Sequence, residues 1–188
     1  MGLYKLAMLG DSGVGKTSLY DPSILESFLA KALVDDESCV LEILDTGGQE
    51  DDLCLEIQSS DGFVLVYDTS SRSSFSRVNK IAKQIQHMEN FASQSADFHD
   101  LVTLILVGNK CDLDREVSSK EGQKLATKLN CGFIETSAKS GTNVEKAFIS
   151  ITRTLKTKKD IQTTAVEGGL LPKFITVLLG PFYSCFGF

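Results

Sequence analysis

Near the amino terminus, eight consecutive residues satisfy the phosphate-binding pattern GxxxxGK[ST]: Gly10-Asp11-Ser12-Gly13-Val14-Gly15-Lys16-Thr17. Glycines in such a loop let successive backbone N–H groups turn towards phosphate oxygens. The Lys16 ammonium can reach the β- and γ-phosphates of a nucleotide, and the Thr17 hydroxyl can coordinate Mg²⁺. We therefore assign residues 10–18, with Ser18 included, to nucleotide binding. An ordinary glycine-rich turn is the alternative.

A second group of polar residues closes the apolar segment 40–44: Asp45-Thr46-Gly47-Gly48-Gln49-Glu50. A carboxylate at the end of a strand beside the phosphate loop is well placed to hold Mg²⁺, usually through water. Gly48 can offer a backbone N–H to the γ-phosphate, and Gln49 can orient an attacking water. Lys16 and Gln49 are therefore the candidate catalytic residues, although Asp and Gly are also ordinary turn residues.

Two later motifs suit the recognition of a guanine base: Asn109-Lys110-Cys111-Asp112 and Ser137-Ala138-Lys139. The Asp112 carboxylate can accept two hydrogen bonds at once from the adjacent N–H donors of guanine, which adenine does not present. Asn109 can brace the loop, the stem of Lys110 can lie along the purine plane, and the Ala138 N–H can donate to the guanine oxygen. Each motif alone fits a solvated polar loop. Four motifs in this order, each after an apolar segment, predict one nucleotide pocket.

These motifs need a scaffold, and the chain alternates short apolar segments with longer segments of helical periodicity. The predicted strands are Leu3–Leu9, Val40–Leu44, Phe63–Tyr67, Leu101–Val107 and Gly132–Glu135, and the predicted helices are Ser74–Phe91, Ser118–Leu129 and Asn143–Lys156. Such alternation predicts an α/β fold, in which a mostly parallel central sheet is covered by helices on both faces. Ligands of such sheets bind at the carboxyl ends of the strands, where all four motifs fall.

Composition argues against several functional classes. A chain of 188 residues fits one compact domain, and its 25 acidic and 19 basic residues give a net charge of −6. That charge does not suit a general nucleic-acid binder. The two histidines, His87 and His99, are too few and too far apart for a histidine zinc site or a Ser-His-Asp hydrolase. Five scattered cysteines without a CxxC motif favour reduced thiols in a cytosolic protein.

The motifs GDSGVGKT, DTGGQE, NKCD and SAK resemble those of the small GTPases of the Ras superfamily, and Asp21-Pro22-Ser23-Ile24 resembles the effector-loop DPTI of the Ras subfamily. The resemblance covers roughly residues 3–156. It implies a P-loop NTPase fold with a six-stranded sheet and five helices, which binds GTP or GDP with Mg²⁺. It also implies protein effectors, an exchange factor and a GTPase-activating protein as partners. By the same resemblance, Thr17, Ser23 and Asp45 hold Mg²⁺, and Ser23 replaces the switch threonine that senses the γ-phosphate.

The chain departs from the Ras-like pattern directly after the phosphate loop. Thr17-Ser18-Leu19-Tyr20 runs straight into Asp21-Pro22, so a helix begun at Thr17 can continue for barely one turn. Residues 22–34 fit two structures. One is a strand that pairs with Val40–Leu44. The other is a helix capped by Asp21, which would replace the truncated helix and leave the sheet one strand short.

The carboxyl-terminal part is the least familiar. We divide the chain into a Ras-like domain, 1–156, and a hydrophobic tail, 157–188, that begins beside a cluster of lysines. Cys185 stands fourth from the end in Cys-Phe-Gly-Phe, which fits a prenylation box, while a free cysteine in a sticky tail is the alternative. Pro172 and Gly180 interrupt the tail, so it is not expected to span a bilayer. We expect a cytoplasmic protein that reaches the cytoplasmic face of the plasma membrane through this tail.

Three functions stay open at this point. The first is a switch that binds GTP or GDP and hydrolyses GTP slowly in signal transduction. The second is a nucleotide-binding or pseudo-GTPase interaction module that does not switch, because the P-loop helix and the second switch, which follows Gln49, are both short. The third is a P-loop phosphotransferase or ATPase, which the NKCD and SAK motifs do not favour.

Overall fold

A computed structural model describes residues 2–20, 29–35, 37–45, 59–92 and 102–167. Six strands form one sheet in the order β2-β3-β1-β4-β5-β6. The strands are β1 Gly2–Leu9, β2 Leu29–Val34, β3 Glu37–Asp45, β4 Gly62–Asp68, β5 Thr103–Asn109 and β6 Gly132–Glu135. The helices whose bounds fall within the described residues are α1 Lys16–Leu19, α2 Arg72–Ala92, α3 Ser119–Leu129 and α4 Val144–Glu167.

The centre of the sheet is parallel. Strand β1 lies between β3 and β4, so that Leu6 is opposite Ile43 on one side and Gly62 on the other. All seven residues of β4 are buried, as expected for a strand that is covered on both faces. The predicted α/β fold with a mostly parallel sheet and helices on both faces is confirmed. The five helices implied by the resemblance stay a prediction, because residues 46–58 lie outside the described part.

Strand β2 is the one antiparallel member of the sheet, with Leu29 opposite Glu42 and Val34 opposite Glu37. The helix hypothesis for residues 22–34 is therefore wrong for 29–34, and the sheet is not one strand short. Helical propensity is a weak preference, and here pairing with β3 satisfies the backbone and buries Val34 completely. Residues 22–28 lie outside the described part of the chain.

Two apolar layers hold the sheet in place. The layer on the α4 side contains Leu6 and Met8 of β1 together with Ile151 and Leu155 of α4, and Leu19 of α1 belongs to it. The opposite layer joins residues of β4 to α2 and α3. Burial of each side chain of this size contributes about 1.5–3 kcal/mol, so the layers fix the positions at which the strands end.

The helices differ from the prediction mainly in length. Helix α1 has four residues, as the early proline predicts. Helix α4 continues to Glu167, well beyond the predicted end at Lys156, because the residues after Leu155 include several good helix formers although few of them are apolar. It therefore crosses the proposed boundary between domain and tail, and that division stays a prediction.

Within the described ranges, no helix has the length and apolar composition needed to cross a bilayer. Residues 168–188, including Cys185, are outside those ranges.

Candidate nucleotide-binding site

The residues assigned to the nucleotide follow strands that end at the same edge of the sheet. Strand β1 leads into the phosphate loop, β3 ends at Asp45, and β5 ends at Asn109. Residues 136–139 follow β6. Because these strands are parallel, their carboxyl ends lie side by side, and this is the edge at which open α/β sheets bind ligands.

The phosphate loop keeps its shape through glycines that no other residue could replace without strain. Gly10 has a φ of 146°, and a Cβ there would collide with the carbonyl oxygen of Val66. Gly15 has a φ of 89°, and a Cβ there would lie 2.5 Å from Nδ2 of Asn109. The loop can therefore lie against both β4 and the Asn109 side chain only because these positions carry no side chain.

Lys16 lies over this loop rather than in solvent. Its Nζ donates to the carbonyl oxygens of Gly10 at 2.9 Å and Asp11 at 3.0 Å, and the residue is 5% exposed. Burial lowers the pKa of Lys16 below its usual range, while the charges of Asp45 and Asp11 oppose that shift. The structure thus places the ammonium at the loop, where the sequence predicts phosphate contact.

Thr17 and Asp45 are in contact although they lie 28 positions apart in the chain. The Thr17 hydroxyl donates to Oδ2 of Asp45 at 2.5 Å, and the Tyr20 hydroxyl donates to the same oxygen at 2.8 Å. A hydroxyl and a carboxylate are hard oxygen donors of the kind that Mg²⁺ prefers, so the pair fits this metal. No group of three or more His, Cys, Asp or Glu side chains suited to a metal occurs in the described ranges. Mg²⁺ seldom needs one, since phosphates and water complete its coordination.

Asn109 joins three segments of the site. Its Nδ2 donates to the carbonyl oxygen of Val14 at 2.9 Å, and its Oδ1 accepts from the Ala138 N–H at 3.1 Å and from the Thr136 hydroxyl at 3.2 Å. The residue is 1% exposed. A buried amide with its partners on the phosphate loop and on the loop after β6 makes the two loops one unit.

Lys110 is held between two acceptors. Its Nζ donates to the carbonyl oxygen of Gly13 at 2.8 Å and forms an ion pair with Oδ2 of Asp68 at 2.7 Å. Burial raises the pKa of Asp68, but hydrogen bonds from Lys110 and Ser70 outweigh that effect and leave the pKa below its usual range. The ion pair fixes the direction of the lysine stem that is predicted to lie along a purine.

Asp112 is exposed and oriented by its neighbour across the site. The Ser137 hydroxyl donates to Oδ1 of Asp112 at 2.6 Å, and this hydrogen bond holds the pKa of Asp112 below its usual range. Burial opposes this lowering of the pKa, and the nearby Lys139 adds to it. The carboxylate is therefore ionised near neutral pH, as an acceptor of two N–H groups must be.

Comparison with known proteins decides the family. A sequence model of the Ras family matches residues 5–157, which is most of the chain. The chain belongs to the Ras family. Members of this family bind guanine nucleotides and hydrolyse GTP, so this chain is a GTP-binding small GTPase switch, which acts with the regulators and effectors of its class.

Curated relatives agree with the Ras assignment. Protein ras-2 of Neurospora crassa is 42% identical over 185 residues, covering 84% of this chain and 81% of that protein. Ras-like protein B of Aspergillus fumigatus is 40% identical and covers 96% and 87% of the two chains. Ras-like protein rasB of Dictyostelium discoideum is 38% identical and covers 91% and 93%. The general phosphotransferase or ATPase is thereby set aside, and the non-switching Ras-like module is not favoured.

The structure brings together most, but not all, of the predicted site of this Ras-family chain. The phosphate loop, Thr17, Asp45 and the two base motifs lie at one edge of the sheet. Ser18 is exposed on α1. Ser23, Gly48 and Gln49 lie outside the described residues, so their roles stay predictions.

Three residues of the site were missed by the sequence analysis: Tyr20, Asp68 and Thr136. Asp68 ends β4, so the rule that ligands bind at the carboxyl ends of strands could have found it. Thr136 stands one residue before the SAK motif. Tyr20 had no such signal, because its contact with Asp45 joins residues 25 positions apart.

Proposed function

We propose that this Ras-family chain is a signal-transduction switch that binds GTP or GDP together with Mg²⁺ and hydrolyses GTP slowly. The observation that carries the proposal is the bridge made by Asn109, which bonds the phosphate loop through Val14 and the base loop through Ala138. Groups suited to the two ends of a guanine nucleotide are held by one buried side chain. Such an arrangement supports binding of a single ligand that extends between them.

At the phosphate end, Lys16 offsets the negative charge on the β- and γ-phosphates. Thr17 and Asp45, together with Ser23, would hold Mg²⁺, which would neutralise phosphate charge there. The Gly48 N–H binds the γ-phosphate, and Gln49 positions the attacking water. The phosphate loop contains no arginine. Hydrolysis is therefore slow until an activating protein supplies one.

At the base end, Asp112 accepts the two N–H donors of guanine and the Ala138 N–H donates to its oxygen. Lys110 lies along the ring, and Ser137 and Lys139 keep Asp112 oriented and ionised. Adenine would present an amine to the Ala138 N–H and neither of the two N–H donors to Asp112. Guanine specificity thus follows from the donor pattern of the loop.

Titration of the full chain with fluorescent GDP and GTP, with and without Mg²⁺ and with ATP as competitor, tests this function. We expect saturable binding that Mg²⁺ tightens and ATP does not displace. Lys16→Ala should weaken binding of both nucleotides, whereas Lys124→Ala, which changes an exposed lysine on α3, should not. Displacement by ATP, or no binding by the folded metal-replete protein, would contradict the proposal.

We also propose that Cys185 is prenylated and takes the protein to the cytoplasmic face of the plasma membrane. Two lysines beside the tail already pair within the domain, Lys156 with Glu37 at 3.0 Å and Lys159 with Asp61 at 3.2 Å. The attached lipid and the apolar tail must therefore supply most of the affinity for the membrane. Mass spectrometry and membrane fractionation should show a lipid on Cys185 that is lost in Cys185→Ser and kept in Ser184→Ala. An unmodified Cys185 in membrane-bound protein would refute this route.

A further inference from the structure

Tyr20 directly follows the shortened first helix and has a polar contact that its sequence position did not predict. Its hydroxyl donates to Oδ2 of Asp45 at 2.8 Å, the same oxygen that accepts from the Thr17 hydroxyl at 2.5 Å. Tyr20 is the C-cap residue of α1 and lies three positions after Thr17, so the two side chains lie on the same side of the helix. Two hydroxyl donors from one helical turn therefore converge on the end of β3.

The tyrosine is fixed in this place by more than its hydroxyl. It is half-buried, and its ring packs against the apolar layer that contains Leu19 and Ile43. Its backbone N–H donates to the carbonyl oxygen of Thr17 at 3.3 Å. A donor with a packed ring and a capped backbone restricts the rotation of the carboxylate that it contacts.

We propose that Tyr20 is a positioning residue for the magnesium site, which orients the Asp45 carboxylate through Oδ2 and thereby raises the affinity of the GTPase for Mg²⁺. This inference rests on the proposed function. The Thr17 hydroxyl can donate its proton to Asp45 while its lone pairs face a cation. Tyr20 donates to Asp45 and not to Thr17, so its hydrogen bond leaves those lone pairs available to the metal. Outer partners that orient a metal-binding carboxylate commonly change metal affinity by 10–100-fold. In this chain, whose first helix is a single turn, Tyr20 fastens that turn to the strand that carries Asp45.

The test measures release of fluorescent GDP from the full chain across a series of buffered free Mg²⁺ concentrations. Tyr20→Phe removes the hydroxyl and keeps the packed ring. Tyr4→Phe is the matched control, since Tyr4 belongs to the same apolar layer and has no hydrogen bond to Asp45. We expect Tyr20→Phe to shift the Mg²⁺ midpoint to a concentration roughly tenfold higher, with Tyr4→Phe at the wild-type midpoint.

The Mg²⁺-free release rate separates positioning from a general loss of structure. A positioning residue leaves the rate in excess EDTA unchanged, whereas a merely structural role raises the rate with and without the metal. Electron paramagnetic resonance of Mn²⁺ bound to the GDP-loaded protein gives a second midpoint, which should shift in the same direction. An unchanged midpoint, a shift to lower Mg²⁺, or a faster release independent of Mg²⁺ would overturn the inference while the wild type still binds GDP. A wild type that binds no guanine nucleotide would overturn the proposed function and this inference with it.

Discussion

The base end and the metal end of the site are built in different ways. At the base end, Asn109 is 1% exposed and makes hydrogen bonds to three separate residues, two of them through backbone atoms. At the metal end, the side-chain hydroxyls of Thr17 and Tyr20 both donate to one carboxylate oxygen of Asp45. The first arrangement is part of the sheet and its loops, whereas the second depends on a four-residue helix.

This difference shows how a Ras-family chain with a first helix of one turn can still hold the loops of its site together through hydrogen bonds. A backbone partner cannot be removed by substitution of its own side chain, so the base end depends on Asn109 itself. The metal end has two donors on one acceptor, and each can be removed separately. We therefore expect substitutions of Asn109 and Asp112 at the base end to change stability or nucleotide affinity more than substitutions of the residues behind them, Asp68 and Tyr67.

Asn109→Ala should have the largest effect. It leaves the Val14 carbonyl, the Thr136 hydroxyl and the Ala138 N–H without their partner in the interior, which we expect to cost about 4 kcal/mol of the free energy of unfolding. Urea denaturation and GDP titration measure the two consequences. Gln123→Ala, at an exposed position of α3, is the control. A loss below about 1 kcal/mol would show that the bridge does not hold the loops together.

Asp112→Asn should affect recognition more than stability. The amide replaces one acceptor by a donor, so the binding free energy of GDP weakens by about 3 kcal/mol, which is roughly a hundredfold in affinity. Xanthosine diphosphate, which carries an oxygen where guanine carries its amine, should gain affinity. Competition between the two nucleotides on the variant checks both changes. An equal loss of affinity for both nucleotides would show that Asp112 does not contact the base.

Asp68→Asn should have a smaller effect that depends on pH. The pKa of Asp68 is lowered in the folded protein, so its contribution is present above the unfolded pKa near 4 and disappears as pH falls through the folded value. We expect a loss of about 1 kcal/mol at pH 7, since Lys110 is partly exposed and water screens the pair. The difference between wild type and variant in urea denaturation should shrink below pH 4. A constant difference across that range would exclude the ion pair as its source.

Tyr67→Phe should have the smallest effect, and unlike the other substitutions it should not decrease stability. Behind the base loop the Tyr67 hydroxyl is buried between Gly108 and Gly122, and none of the residues that the structure describes forms a hydrogen bond with it. Its removal should leave stability unchanged or increase it by up to about 1 kcal/mol, because the phenylalanine needs no partner. Thermal denaturation would show a melting temperature equal to or above that of the wild type. A clear decrease would mean that the hydroxyl has a partner after all.

The sequence predicted those parts of the fold that local pattern determines. The apolar segments of β1, β4 and β5 and the periodicity of α2 and α3 are visible in the chain itself, and so is the single turn of α1, since Pro22 limits the helix that begins before it. The motifs at the strand ends are also local in the sequence, so they predicted the position of the candidate site.

Longer-range contacts were beyond local pattern. Residues 29–34 have a helical stripe, and only their pairing with β3 makes them a strand. The end of α4 was set too early because the apolar stripe stops at Leu155 while the helix continues to Glu167 through mostly polar residues. Asp68 and Tyr20 acquire their partners through the fold, and neither forms a motif with its neighbours in the chain.

The bridge made by Asn109 also bears on synthesis of the protein. Asn109 reaches back 95 residues to Val14 and forward 29 residues to Ala138. A nascent chain therefore contains its phosphate loop long before the residues that complete the pocket have been synthesised. Contacts of such large sequence separation close late. A fragment that stops before residue 138 keeps the glycine-rich motif and loses one partner of Asn109, so we expect the nucleotide to stabilise the chain only once synthesis has passed that residue.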